Sequence, residues 1–560
     1  MSSHQPHDED SDAESEEAVM LDPNEAEEEI EDDGDVAMDS DDEDMQEILL
    51  QNDSSAHFDA HKDSIFCIAQ HPTKPAIVAT GGGDDVAFIF DSTPAPGPLL
   101  PKSWESTPQP VERKTLETIA KLDGHTDSVN GIIFTQPKGE FVATAGLDGQ
   151  LRVWHNKNLD GVSWEFLASV QEVQEINWLV ACPSPSHPNT LALGALDGSV
   201  WVYEINAADK ASPLTIVQSY YLHTAPCTAG TWTRDGKLLA TVSEDSSLYV
   251  WDVWGDAAAA DLLKTPGTQY FVGLTGEDVR FGVEGGLFSV AASPSGGSVA
   301  VGGAGGNIRV IGLPRFNAAA TAVSARAGTK NKASSKQTGG VGQAGQILAS
   351  LQAQSDSVET IAFSDAPLTL MAVGSVDGSI VLFDAAHNFA KRRKIDGAHE
   401  DEAVIKVEFV KPGPNGANGW ILTSCGNDGV VRRWDVRGGT AAANGGLKDE
   451  WKGHRGDGEG GGVLGFVQGG GGSRVVTAGD ELEDQGVTIY RTVPLTSPTH
   501  TRLLNLHPGS LACDVNTAAL NDHPVFETLS YTRGDITHML SLKYGGAAIL
   551  TTIGIFALPT

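Results

Sequence analysis

Between Lys121 and Trp154 the chain alternates apolar and polar residues in three short bursts separated by turn residues. Val129, Ile132 and Phe134 fall on one burst, Phe141 to Thr144 form the second, and Leu151, Val153 and Trp154 alternate on the third. Gly124-His125 precedes the first, and Asp148-Gly149 sits between the last two. Period-two alternation bounded by glycine and aspartate predicts three antiparallel strands in about thirty residues. Such a sheet cannot bury both faces alone, so the unit makes physical sense only if it recurs and stacks on its own copies.

It recurs. An aspartate followed six residues later by a large apolar or aromatic residue is found at Asp84/Phe90, Asp148/Trp154, Asp197/Tyr203, Asp245/Trp251, Asp377/Phe383, Asp428/Trp434 and Asp484/Tyr490. A degenerate eighth copy has Gly305 and Ile311. The strand upstream is expected to open at Ile65, Val129, Val173, Cys227, Leu287, Val358 and Val404. The endings Gly124-His125, Trp251-Asp252, Trp434-Asp435 and Gly453-His454 resemble the WD-repeat family, whose unit is a four-stranded propeller blade. The resemblance implies an all-β chain, an eight-bladed WD-repeat β-propeller. It also implies that His61, His125 and His223 bond the turn aspartates of their own blades. That makes these histidines, with Asp148, Trp154, Asp197, Asp245, Trp251, Asp377, Asp428 and Trp434, a structural framework rather than catalytic bases.

The 64 glycines in 560 residues suit many short strands and tight turns. Cys67, Cys182, Cys227, Cys425 and Cys513 are scattered without CxxC spacing, and their odd number argues against a disulfide framework and for a reducing compartment. No stretch begins with a basic segment and a long apolar run, so a soluble, cytoplasmic protein is expected, with the nucleus a second location.

The net charge of −38 is uneven: residues 1–50 carry 22 Asp and Glu and no Lys or Arg, leaving −16 for the other 510. Self-repulsion and a lack of aromatics predict a disordered acidic tail over 1–44. Met45 to Leu50 alternates apolar residues just before the first blade and suits the outer strand that a propeller borrows from one terminus to close its ring. The propeller is expected over 45–491. The small, polar tract at about 315–345 reads as a disordered insertion. Lys391-Arg392-Arg393-Lys394 has the form of a nuclear localisation patch, although a solvated loop between blades is the plainer reading. Residues 492–560 fit no blade. There Glu527, Leu529, Ser530, Tyr531, Gly534 and Asp535 resemble the opening of the fungal heterokaryon-incompatibility domain, with Arg533 where that family has tryptophan, so a truncated or fused segment is expected.

No nucleophile elbow, zinc-protease motif, phosphate loop or paired Cys/His spacing occurs, so no enzyme, cofactor or metal is expected. What remains is binding. The residues near the upper turns that the fold does not require are Asp85, Glu175, Glu244, Glu359, Asp480, Glu481 and Glu483, all acidic. Such a face favours a basic ligand and disfavours nucleic acid. The opening Phe58, His61, Ser64, Ile65, Phe66, Cys67 and the turn Gly81, Gly82, Asp84, Asp85, Ala87, Phe88 resemble the angio-associated migratory cell protein family, as do the phrases LDGSVWVY, AVGSVDGSIVLFD and DGVVRRWDVR. That resemblance implies a monomeric ribosome-biogenesis chaperone. Its acidic upper face would take the basic N-terminal segment of a nascent large-subunit ribosomal protein and escort it to the pre-60S particle. The alternative is a scaffold in signalling or ubiquitin-ligase assembly, which would show no preference for a short basic peptide.

Overall fold

A computed structural model describes residues 53–93, 115–259, 268–314, 344–412, 419–438, 443–454, 461–479, 487–491, 539–544 and 547–552. Eight four-stranded antiparallel sheets follow one another along the chain. The first consists of Ile65–Gln70, Ile77–Gly82, Ala87–Asp91 and Thr118–Leu122, running from the ring centre outwards. Each inner strand packs on the next, and that of blade 8, Val463–Gln468, packs back on Ile65–Gln70, so the ring is closed.

Burial explains the strand order. The second strands, such as Ile77–Gly82, Phe141–Gly146 and Leu238–Ser243, are buried at every position, because both faces lie against neighbouring blades. Outer strands such as Ile347–Gln352 alternate between half-buried and exposed residues. The core therefore lies between sheets: Phe141, Ala143 and Leu151 of blade 2 share one cluster with Leu191, Leu193 and Tyr203 of blade 3. Trp178 lies across the inner strands of blades 3 and 4, and a Cβ on Gly194 or Gly230 would fall 2.3 or 2.2 Å from its ring, so both positions require glycine.

Three expectations are corrected. The strand closing blade 8 is Ala56–Phe58, paired with Val487–Ile489, whereas Met45 to Leu50 lie outside the described residues. Ala56 and Phe58 turn inward and are buried, which joins Phe58 and Phe88 to Val476 and Ile489 in one core. The segment also reaches its neighbours: Asp53 N donates to Lys452 O (2.7 Å) in blade 7, and Leu116 N donates to His57 O (3.0 Å) in blade 1. Second, the inner strand of blade 3 opens at Ile176, not Val173. Third, Lys391 to Lys394 is not a connecting loop but part of the outer strand Ala390–Ile395 of blade 6. There Arg393 is buried and donates through Nη1 and Nη2 to Asp435 O (3.1 Å each).

The tail 1–44, the insertion 315–343 and the phrase from Glu527 to Asp535 lie outside the described residues. Beyond the propeller, Met539–Tyr544 and Ala547–Thr552 pair as an antiparallel hairpin. Among the described residues no helix is long and apolar enough to cross a membrane.

Candidate functional site

Blades 1, 2, 3, 4, 6 and 7 carry their turn aspartates (Asp84, Asp148, Asp197, Asp245, Asp377 and Asp428) at one end, here termed the upper face, where blade 5 has Gly305. In blade 2, His125 Nδ1 lies 3.1 Å from both Asp148 oxygens and its Nε2 2.7 Å from Thr144 Oγ1. In blade 1, His61 bridges Asp84 (3.0 Å) and Thr80 (2.9 Å). In blade 4, His223 reaches Ser247 (2.5 Å) and Thr241 (2.8 Å), Asp245 stands 4.0 Å away, and Trp251 Nε1 donates to Thr241 Oγ1. Blade 7 has the same arrangement in His399, Asp428, Ser424 and Trp434, with Arg432 donating to Asp428 as well. His399 was missed from sequence because it stands 29 positions before its aspartate, against 23 for His125.

These histidines have both ring nitrogens engaged, which leaves none to act as a base on a ligand. Burial lowers the pKa of His125, His223 and His399, outweighing the opposing pull of Asp148, Asp245 and Asp428. For Asp84, Asp245 and Asp428 burial alone would raise the carboxyl, but the bonds they accept outweigh it and hold each below the ordinary range. Asp377 also lies low; it accepts from Ser355 N (2.8 Å) and Ser379 Oγ (2.6 Å), with Gln354 in the histidine position. Asp197 accepts from Ser199 N (2.9 Å) and Ser199 Oγ (2.6 Å) in its own turn. Burial raises the thiols of Cys182 to about 11 and Cys425 to about 12. Among the described residues no cluster of His, Cys, Asp and Glu could hold a metal.

The channel mouth is built by one repeated irregularity. In every inner strand the second residue is skipped by the pairing with the next strand: Phe66, Asn130, Asn177, Thr228, Phe288, Glu359, Ile405 and Leu464. A bulge frees that side chain from the sheet and re-aims it. Several use the freedom to bond the next blade: Asn130 Nδ2 donates to Ile176 O (2.6 Å), Asn177 Nδ2 to Cys227 O (3.1 Å) and Thr228 Oγ1 to Leu287 O (2.7 Å). One position further on, Ser289 Oγ donates to Val358 O (2.8 Å) and Lys406 Nζ to Phe466 O (2.8 Å). The blades are thus stitched around the channel by side chains that water would otherwise solvate.

The acidic residues singled out from sequence fall in three kinds of place. Asp85 follows the turn aspartate of blade 1 at φ 60°; burial and the charges of Asp127, Asp84 and Asp148 raise its carboxyl. Glu359 is the bulged residue of blade 6, half-buried, and its carboxyl is raised by burial and then by Asp356. Glu175 is half-buried and Glu244 exposed at the entrances of blades 3 and 4. Asp85 is thereby brought to blade 2, and Glu359 to Asp356. Asp480, Glu481 and Glu483 lie outside the described residues. Sequence reasoning passed over Asp63, Asp127 and Asp356, whose Oδ1 atoms accept from Ser64 N, Ser128 N and Ser357 N at 2.7 to 2.8 Å just before inner strands. The repeated Asp-Ser-apolar triplet was the signal that could have found them.

Eight WD-type blades around a channel with a carboxylate-rich mouth define a WD-repeat propeller of the peptide- or protein-binding class. Residues 52–91, 116–155, 214–252 and 345–384 match the family model described as WD domain, G-beta repeat. Ribosome assembly protein SQT1 of Saccharomyces cerevisiae is 28% identical over 417 residues, spanning 73% of this chain and 81% of that protein. Angio-associated migratory cell protein of Homo sapiens is 24% identical over 403 residues, spanning 72% and 74%. The crystal structure of Chaetomium thermophilum Sqt1 bound to the N-terminus of the ribosomal protein L10 is 50% identical, with TM-score 0.66, and covers 79% of this chain and 100% of that one. The chain belongs to the Sqt1 and angio-associated migratory cell protein family of WD-repeat propellers.

Proposed function

We propose that the upper face binds the basic N-terminal segment of the large-subunit ribosomal protein L10 and that this chain is a dedicated, non-catalytic chaperone delivering it for ribosome assembly in the cytoplasm. The observation carrying this reading is the half-identical Sqt1 structure, aligned over its whole length, bound to the N-terminus of that ribosomal protein. The physical support is the mouth itself, where burial and the charges of Asp127, Asp84 and Asp148 raise the Asp85 carboxyl and Glu359 sits half-buried beside Asp356. A Lys/Arg-rich segment relieves that repulsion, and the acidic surface shields the segment from RNA. Asp85, Glu175, Glu244, Glu359, Asp480, Glu481 and Glu483 are proposed as contacts, joined by Asp63, Asp127 and Asp356. Each exposed contact is worth roughly 0.5 to 2 kcal/mol, so several must act together to reach micromolar affinity, about 8 kcal/mol.

Calorimetry with a synthetic L10 N-terminal peptide at two salt concentrations tests the reading. Binding by the parent should weaken steeply with salt, and the double reversal Glu175→Lys/Glu244→Lys should weaken it at least about tenfold at low salt without lowering the melting temperature. Unchanged affinity in the double reversal removes those two contacts. No binding by the parent removes the function.

A further inference from the structure

The upper face is acidic, but the opposite end of blades 6 and 7 carries the reverse charge. The third strand of blade 7 leads from the turn at Asp428 down to Asp435, which pairs with Ile421, so Asp435, Arg437 and Trp420 lie at the lower end. Lys448 follows Leu447, the partner of Trp434, and Lys411 follows the inner strand Val404–Phe409, which places both at the same end. In blade 6 the outer strand Ala390–Ile395 starts beside Asp384, the last residue of the third strand, so Lys391 and Arg392 lie there too.

These cations form one group. Arg392 Nη2 donates to Arg437 O (3.0 Å), and the buried Arg393 beside it donates to Asp435 O. Arg437 lies over the Trp420 ring at 4.4 Å. Burial alone would raise the Asp435 carboxyl, but the bonds it accepts from Arg437 and the charges of Arg437 and Lys448 hold it below the ordinary range. A Cβ on Gly419 would fall 3.2 Å from Pro412 Cβ, so the turn after Lys411 sits against the one before Trp420. Lys391, Arg392, Lys411, Arg437 and Lys448 are exposed, whereas the neighbouring carboxylates Asp384, Asp435 and Asp449 are half-buried. Arg437 is paired with Asp435, but among the described residues Lys391, Arg392, Lys411 and Lys448 form no ion pair. The adjoining turns 413–418 and 439–442 contain no Asp or Glu. Where residues 51–560 carry a net charge of −16, unpaired cations on two neighbouring blades are a local reversal of sign.

We propose that this lower rim docks RNA through its phosphate backbone, with Lys391, Arg392, Lys411 and Lys448 as the contacts. RNA fits the surface better than an acidic protein does. Among the described residues Leu447 is the one large apolar side chain exposed on the rim, too little for the apolar centre on which a protein partner packs, whereas backbone phosphates need only cations within reach. Arg392 adds a guanidinium whose charge no carboxylate neutralises, the group best matched to phosphate. A six-residue strand separates the rim from the upper face by about 20 Å, twice the screening length of about 10 Å at 0.1 M salt, so the carboxylates of the mouth do not cancel the field of the rim. The docking goes beyond the client reading and does not rest on it, since no residue of the mouth takes part.

Fluorescence anisotropy with the full chain and a labelled oligouridine tests the docking. The parent should bind with an affinity that falls as salt rises, the logarithmic slope being about −0.7 for each phosphate neutralised. Lys391→Ala/Lys448→Ala alters two exposed side chains and should melt like the parent. It should weaken binding about tenfold at low salt and make the slope shallower by about 1.4, the share of two phosphates. A second pair, Lys391→Ala/Lys411→Ala, should give the same loss, which guards against a local fold defect in the first. Failure of the parent to bind, or parental affinity and slope in both variants, overturns the rim. Binding of polyglutamate in place of RNA, with the same loss in the variants, overturns the RNA assignment in favour of an acidic protein. No basic peptide enters the measurement, so failure here leaves the client reading standing, and failure of that reading leaves the rim.

Discussion

Acidification from pH 7 to pH 5 should destabilise the propeller through its buried histidines. Burial pushes His223 down from an ordinary 6.5 to about 4, against the opposing pull of Asp245. His125 and His399 are lowered for the same reason, against Asp148 and Asp428. Each of these imidazoles takes a proton more readily in the unfolded chain than in the ring. Stability is therefore full above pH 6.5 and is lost as the pH falls towards the folded value. For His223 the slope approaches ~1.4 kcal/mol per pH unit and the whole shift amounts to roughly 3 kcal/mol; His125 and His399 act in the same direction. The depressed carboxyls of Asp84, Asp245, Asp377 and Asp428 begin to matter only below their ordinary 3.8, so histidine governs the window from 6.5 to 5. Urea unfolding of the parent and of His223→Gln at pH 7, 6 and 5 measures this. Glutamine is the chosen replacement because blade 6 already holds Gln354 in that position, donating to Ser379 O at 2.8 Å. The parent should lose stability across the window and the variant should lose less, by up to one proton's slope. A parent whose stability is flat between pH 7 and 5, or a variant with the same slope, refutes the reasoning.

Two further outcomes are expected. His125→Ala leaves the Thr144 hydroxyl without its 2.7 Å partner while Asp148 keeps its bonds to Thr126 N and Gln150 N; the loss should be on the order of 1 to 3 kcal/mol by urea unfolding, and a variant that melts like the parent yet no longer binds peptide contradicts the framework role. Truncation of residues 1–50 should leave the melting temperature of the ring unchanged, whereas truncation through Asp59 removes the closing strand Ala56–Phe58 and its bonds to blades 1, 7 and 8 and should lower it by several degrees in scanning calorimetry; equal melting of the two truncations would mean that closure does not depend on this strand.

The eight blades were legible in sequence because the spacing from turn aspartate to aromatic lies within a single hairpin, which local chemistry dictates. Errors arose where the determinant is a contact between distant segments. Val173 looked like a strand opener because it is apolar, but blade 3 buries it ahead of the strand and begins pairing at Ile176. Ala56–Phe58 has only two inward side chains, too short a run to show alternation, and it is a strand because Val487–Ile489 offers an unpaired edge. Arg393 reads as solvated until the Asp435 carbonyl from blade 7 is placed against it. The acidic bias of the upper turns was visible one residue at a time. That Asp85 faces Asp127 and Asp148 of the next blade is a product of ring geometry.

That geometry separates what holds the ring from what the mouth can recognise. The turn aspartates point back into the fold: Asp84, Asp148, Asp245 and Asp377 accept from the amides of Lys62, Thr126, Thr224 and Ser355. The residue just before each of them is held only by its main chain. Its N–H donates to the carbonyl preceding the inner strand, as Leu147 does to Ser128 O, Glu244 to Pro226 O and Val376 to Ser357 O, at 2.9 to 3.2 Å. Any side chain can therefore stand there without costing a framework bond, and this ring carries Gly83, Leu147, Leu196, Glu244, Ala304, Val376 and Asn427, all exposed or half-exposed. Their chemistry follows no fold requirement. Under the proposed function these positions and the bulged residues beside them carry client specificity, so Glu244 can change the ligand preference of the mouth while the His and Asp pairs below it keep the ring intact.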